Sequence, residues 1–199
     1  DHRRPDRALL DSAMEKLLAI RRARLQPQRD DKQISGWNAL AACGLLAADR
    51  YLGEPTAGER AREVARELLT MRDESGRVPH VRMGDVVQRQ SFLSDHAALL
   101  LLLTMLGEDT DEFAEPADEL EEIVLGFQRE GTWIEAESDD FPAIPAEIFD
   151  QPVPSTVALA EMALLRSQIA RHAEYLPRSF SDPLGRAFAS ITALQSRGY

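Results

Sequence analysis

Ser94-Asp95-His96-Ala97-Ala98-Leu99-Leu100-Leu101-Leu102-Leu103-Thr104-Met105-Leu106 is the stretch on which the fold turns. Ala, Leu and Met are strong helix formers, and Gly107 supplies a natural stop. From Ala97 to Leu103 such a helix is apolar on every side. A surface helix needs only one apolar stripe, whereas a helix apolar all round must be covered all round. The run is too short to cross a bilayer, so other parts of the protein must cover it.

Working outward, the periodicity predicts seven helices, over residues 6–24, 36–52, 56–72, 94–106, 115–128, 155–171 and 183–197. Leu9, Leu10, Ala13, Leu17 and Ile20 give the first an apolar stripe. Gly53 ends the second, and Thr56-Ala57-Gly58-Glu59 reads as a capping box for the third. Ser155 opens the sixth, and Ser181 or Asp182 ahead of Pro183 opens the seventh. A short hairpin is expected from residues 80–82 and 86–90 around Met83-Gly84-Asp85, and a short strand over 132–136. Helices one, three and five are charged along one side, while two, four and six carry almost no charge in their bodies. That alternation reads as outer and inner layers. The expected fold is therefore all-α, a partial α/α toroid of outer–inner helical hairpins with a β-hairpin in one connection. Residues 1–199 read as one helical domain, about half of a closed ring and so a piece of a larger one. Such a piece exposes the apolar sides of its end helices, which predicts pairing with a second copy.

Composition narrows the function. The net charge of −11 argues against nucleic acid and against an anionic membrane. Between Glu108 and Asp150 sixteen acids face one base, Arg129. Glu137-Ser138-Asp139-Asp140 lacks the spacing and glycine of a calcium loop and reads as solvated acidic surface. No phosphate loop, dinucleotide fingerprint, metal cluster or nucleophile elbow is present, and no cofactor is expected. Cys43, the single cysteine, lies in an apolar helix and reads as a small buried hydrophobe. With no secretory pattern or membrane span, the expected location is cytoplasmic.

The chemistry collects ahead of the inner helices. Arg29, Asp30, Asp31 and Lys32, then Trp37 and Asn38, lead into helix two. Phe92, Asp95 and His96 lead into helix four, and Asp150 and Ser155 into helix six. If the inner helices run parallel, these segments share one rim, where helix N-termini present free N–H groups. Carboxylates among aromatic rings suit a hydroxyl-rich ligand. Asp31, Asp95 and His96 are the candidates for proton transfer. Arg29, Asp30, Lys32, Trp37, Asn38, Phe92, Asp150 and Ser155 are the candidates for binding. Each has a plainer reading too: Asp95 as a first-turn acid, His96 and Trp37 as core, Asp30, Asp31 and Lys32 as a loop ion cluster. His80, on the hairpin, reads as exposed and idle.

Three motifs carry a family resemblance. The run Arg29-Asp30-Asp31-Lys32-Gln33-Ile34-Ser35-Gly36-Trp37-Asn38-Ala39-Leu40 resembles the Asp-Asp-Lys…Trp-Asn-Gly-Leu stretch of the YyaL-like family, the spermatogenesis-associated thioredoxin-domain proteins. Phe92-Leu93-Ser94-Asp95-His96-Ala97 is similar to that family's Phe-Leu-Asp-Asp-Tyr-Ala, and Asp150…Pro154-Ser155 to its Asp…Pro-Ser-Gly-Asn-Ser. The resemblance implies a helical toroid related to the N-acylglucosamine 2-epimerase and six-hairpin glycosidase folds, with a thioredoxin-like domain upstream. Ser94, His96 and Thr156-Val157-Ala158 depart from the pattern, and Val157 replaces an amide that could bond in both directions. These departures point to weakened or lost activity. The first expectation is thus a sugar-binding or sugar-processing toroid of epimerase or glycosidase type, with a small sugar as ligand. The second is a non-catalytic helical scaffold. A peptide-binding helical repeat is a third, disfavoured because the inner helices read as fully buried.

Overall fold

A computed structural model describes residues 6–138 and 141–172. The first unit, residues 1–31, contributes one helix, α1 (Arg7–Ala23), opened by Asp6, whose carboxylate accepts from the Ala8 N–H. No residue of α1 is buried. Its expected stripe is present, but Leu9, Leu10, Leu17 and Ile20 are each at least half exposed.

The second unit begins at Lys32 and holds the core. Its helices are α2 (Ser35–Leu52), α3 (Pro55–Thr70), α4 (Leu93–Leu106), α5 (Ala114–Leu125) and α6 (Thr156–His172). Pro55 opens α3 at a position where a missing N–H costs nothing. No side chain caps that helix, so the expected capping box from Thr56 does not form. α5 stops at Gly126, and a 3-10 turn over Asp111–Phe113 precedes it. The expected seventh helix lies outside the described residues.

α4 is the hub. Nearly all of it is buried, from Asp95 to Thr104 without a break. It packs between α2 and α6, with α3 and α5 outside. Ion pairs show that the three inner helices run parallel. Arg50, in the last turn of α2, bonds the Met105 carbonyl in the last turn of α4 and Glu108 and Asp109 just beyond it. Arg166 of α6 pairs with the same Glu108. The outer layer is knitted by Arg66–Glu112 and Arg72–Glu119. These outer–inner pairs are the expected toroid architecture. One expectation needs correcting, since only α4 is buried all round. α2 leaves Leu45, Tyr51 and Leu52 exposed, and α6 leaves Met162 and Leu165.

Two small sheets fill the connections. The expected hairpin forms from β2 (Val81–Met83) and β3 (Val86–Gln88), turning at Gly84 with φ +57. An unanticipated strand, β1 (Gln33–Ile34), pairs with β2 and places the start of α2. The second sheet runs β4 (Gln128–Arg129), β5 (Thr132–Ser138), β6 (Phe141–Pro145), all antiparallel. Only β5 was foreseen. Among the described residues no helix is long and apolar enough to cross a membrane.

Candidate functional site

The N-terminal ends of the inner helices are built with a shared peculiarity. Neither α2 nor α4 has a side-chain cap of its own; their N-cap residues are Ile34 and Phe92. Unpaired first-turn N–H groups need acceptors, and both helices take them from another element. Asp95 Oδ1 accepts from the Gly36 N–H of α2 at 2.7 Å. Glu135 Oε1, from β5, accepts from Ser94 N–H at 3.2 Å and Ser94 Oγ–H at 2.6 Å in α4. α6 alone is capped locally, by Ser155 Oγ accepting from the Ala158 N–H, while Asp150 accepts from the Ser155 N–H. β5 also reaches α6, where Trp133 Nε1 donates to Glu161. Three inner-helix ends are thereby tied into one rim.

Glycine at position 36 is what permits the approach. A Cβ there would lie 3.0 Å from Asp95 Oδ1 and 3.2 Å from its Cα.

The second oxygen of Asp95 defines the chemistry. Asp95 is 1% exposed, and its Oδ2 sits 2.8 Å from His80 Nδ1. The imidazole lies against the Phe92 ring at 4.4 Å between centroids. Backbone bonds hold it there: His80 N–H donates to Gln88 O, and His80 O accepts from Ser35 N–H, both at 3.0 Å. The hydrogen bond that Nδ1–H donates to Asp95 raises the imidazole's pKa, burial opposes it, and the charges of Asp95 and Glu135 raise it further. With Nδ1 committed to Asp95, Nε2 has no partner among the described residues, and the side chain remains 29% exposed. His80, expected to be exposed, is therefore part-buried and held in place. A buried carboxylate orients its ring and leaves the outer nitrogen available.

His96 shows the opposite outcome. It is fully buried; its Nδ1 lies 2.7 Å from the Phe92 carbonyl, and its Nε2 lies 3.2 Å from the Val78 N–H. This pattern fits a neutral ring protonated on Nδ1. Burial lowers its pKa, as a neutral core imidazole requires. Both nitrogens are spoken for by backbone, so the acid or base role expected of His96 finds no free atom.

The remaining candidates scatter. Trp37, next to Gly36, is 61% exposed. Asn38 bonds the Ile34 carbonyl. Arg29 and Asp31 pair with each other in the first unit, where Asp30 also lies, whereas Lys32 begins the second. The structure thus gathers Phe92, Asp95 and Gly36, and adds His80 and Glu135. His80 carries no sequence signal. Glu135 carries a faint one, as an acid between the apolar Ile134 and Ala136. Cys43 is part-buried, and burial lifts its thiol to about 11 against the pull of Arg166, so it is no nucleophile. Among the described residues no group of three or more His, Cys, Asp and Glu is arranged to hold a metal ion.

No profile of a known protein family matches the chain. An uncharacterized protein of Caenorhabditis elegans is 29% identical over 172 residues, 79% of this chain and 23% of that protein. Similar solved structures are a GH76 alpha-mannanase from Bacteroides thetaiotaomicron (13% identity, TM-score 0.56, 88% of this chain and 47% of that one) and a sugar epimerase from a ruminal bacterium (14%, 0.54, 71% and 39%). An unsaturated glucuronyl hydrolase from Bacillus sp. GL1 is another (17%, 0.50, 88% and 50%). The fold is that of these α/α toroids. The chain spans less than a quarter of the worm protein and at most half of each solved structure.

Proposed function

We propose that the inner-helix rim binds a hydroxyl-rich ligand, a sugar, and that His80 and Asp95 are its acid–base pair. The observation that carries this is the 2.8 Å contact between buried Asp95 and half-buried His80, with Nε2 left unbonded. Asp95 fixes the tautomer, so Nε2 is the atom that gives or takes a proton at a ligand oxygen or carbon. Phe92 backs the imidazole ring, and exposed Trp37 offers a stacking face for the apolar side of a sugar. The toroid neighbours that handle sugars support the substrate class by analogy of fold. The test is solvent-deuterium exchange at C2 of a panel of neutral sugars, with ligand binding followed by Trp fluorescence. Exchange lost in His80→Gln and Asp95→Asn supports the reading; no exchange and no binding by the parent protein overturns it.

A second reading, a non-catalytic scaffold, is favoured by a different observation. Asp95 and Glu135 both act as caps for helices other than their own. On that reading Asp95→Asn leaves every biological readout intact, while changes on α3 or α5 do not. The finer assignment to the YyaL-like, thioredoxin-domain proteins rests on the Asp30-Asp31-Lys32 and Trp37-Asn38 motif. Peptide mapping upstream of Asp1 in the native protein tests it, and a thioredoxin-like sequence there is the expected result.

A further inference from the structure

Asp95 alone does not account for the surroundings of His80, and one buried atom near them is left without a partner. Glu135 Oε2 is closed off from solvent and has no hydrogen-bond partner among the described residues, although its twin Oε1 accepts two bonds from Ser94. A carboxylate oxygen taken from water and left unbonded is costly unless a positive charge lies nearby. The anchoring points are adjacent. Ser94 holds Glu135 and Asp95 holds His80, so consecutive residues in the first turn of α4 tie both carboxylates and the imidazole into one hydrogen-bonded cluster. The charged groups acting on His80 are Asp95 from α4 and Glu135 from β5. A protonated ring in this cluster is the kind of positive charge that an unbonded buried oxygen calls for.

We propose that Glu135 is a positioning residue of this site, a second carboxylate that acts with Asp95 to hold His80 doubly protonated and make its Nε2–H a hydrogen-bond donor. For its functional consequence this rests on the rim being the ligand site. An imidazolium there works as an acid, giving its proton or a hydrogen bond to a ligand oxygen. Two carboxylates around one imidazolium leave a net negative charge, which suits a neutral hydroxyl-bearing ligand and repels a carboxylated one.

The experiment needs no ligand, so its outcome is separate from that of the sugar-binding test. The imidazole signals of His80 in the full chain are titrated by NMR in the parent, in Glu135→Gln and in Asp95→Asn, with His96 as an internal reference. Gln keeps an acceptor for Ser94, so the cap on α4 survives. The expected result is a His80 midpoint above 6.5 in the parent, moving down toward 6.5 in Glu135→Gln and further in Asp95→Asn, while His96 is unmoved. An unchanged His80 midpoint in a folded Glu135→Gln overturns the proposal. Should that variant fail to fold, the parent decides alone: a His80 ring found neutral at pH 6.5 also overturns it.

Discussion

His80 and His96 meet the same turn of α4 and have opposite chemistry. His96 belongs to the helix and points into the core, where two backbone groups use both of its nitrogens. His80 comes from the connection before β2, bonds the residue next to His96, and keeps one nitrogen open. Burial dominates the first and a carboxylate the second, so one pKa is pushed down and the other up. The same side chain thus serves as a core strut or as a site residue, depending on which neighbours take its ring nitrogens.

The largest expected difference is in stability. His96→Leu strands the Val78 N–H in the core, leaves the Phe92 carbonyl only a long 3.5 Å bond from the backbone N–H of residue 96, and should cost about 2–4 kcal/mol in urea unfolding. His80→Asn, at a part-exposed position and with an Nδ2 that takes the place of Nδ1 as donor to Asp95, should cost less than about 1 kcal/mol. Equal costs would break the comparison. Gly36→Ala comes next. Its new Cβ crowds Asp95 Oδ1 and the Ser94 carbonyl at 3.0 and 3.3 Å, and about 1–3 kcal/mol should be lost. His80 should then titrate nearer its ordinary value, because its carboxylate is displaced.

Stability against pH sharpens the contrast. The His80 contribution is complete below 6.5 and drains away as pH rises through its raised value. The His96 contribution runs the other way, complete above 6.5 and draining as pH falls through that value toward its lowered one. Urea midpoints should therefore decline on both sides of neutrality. Asp95→Asn should flatten the alkaline decline and leave the acid one. The smallest stability effect is expected for Trp37→Ala, within about 0.5 kcal/mol, although sugar-induced fluorescence should vanish with it.

The rim was partly legible. Asp95 and Phe92 stood out because they precede a helix that has to be buried. The value of His80 could not be read, because it depends on a contact between residues 15 apart in sequence that the β2–β3 hairpin creates. Glu135 lies 41 residues from the serine it caps and was hidden for the same reason. The Thr56 capping box failed because Pro55 starts α3 one residue earlier. The stripe on α1 was correct as periodicity and silent about burial, for a stripe specifies a face and not what covers it.

By itself the sequence determined the six described helices, their order, and the layers of α2 to α6, because periodicity and charge placement act within a few turns of one helix. Tertiary structure alone decided which titratable groups became a site. Hydrogen-bond partners and desolvation are set by elements that are distant in sequence, and for His80 and His96 they decided which ring nitrogens stay open, which local pattern had left undecided.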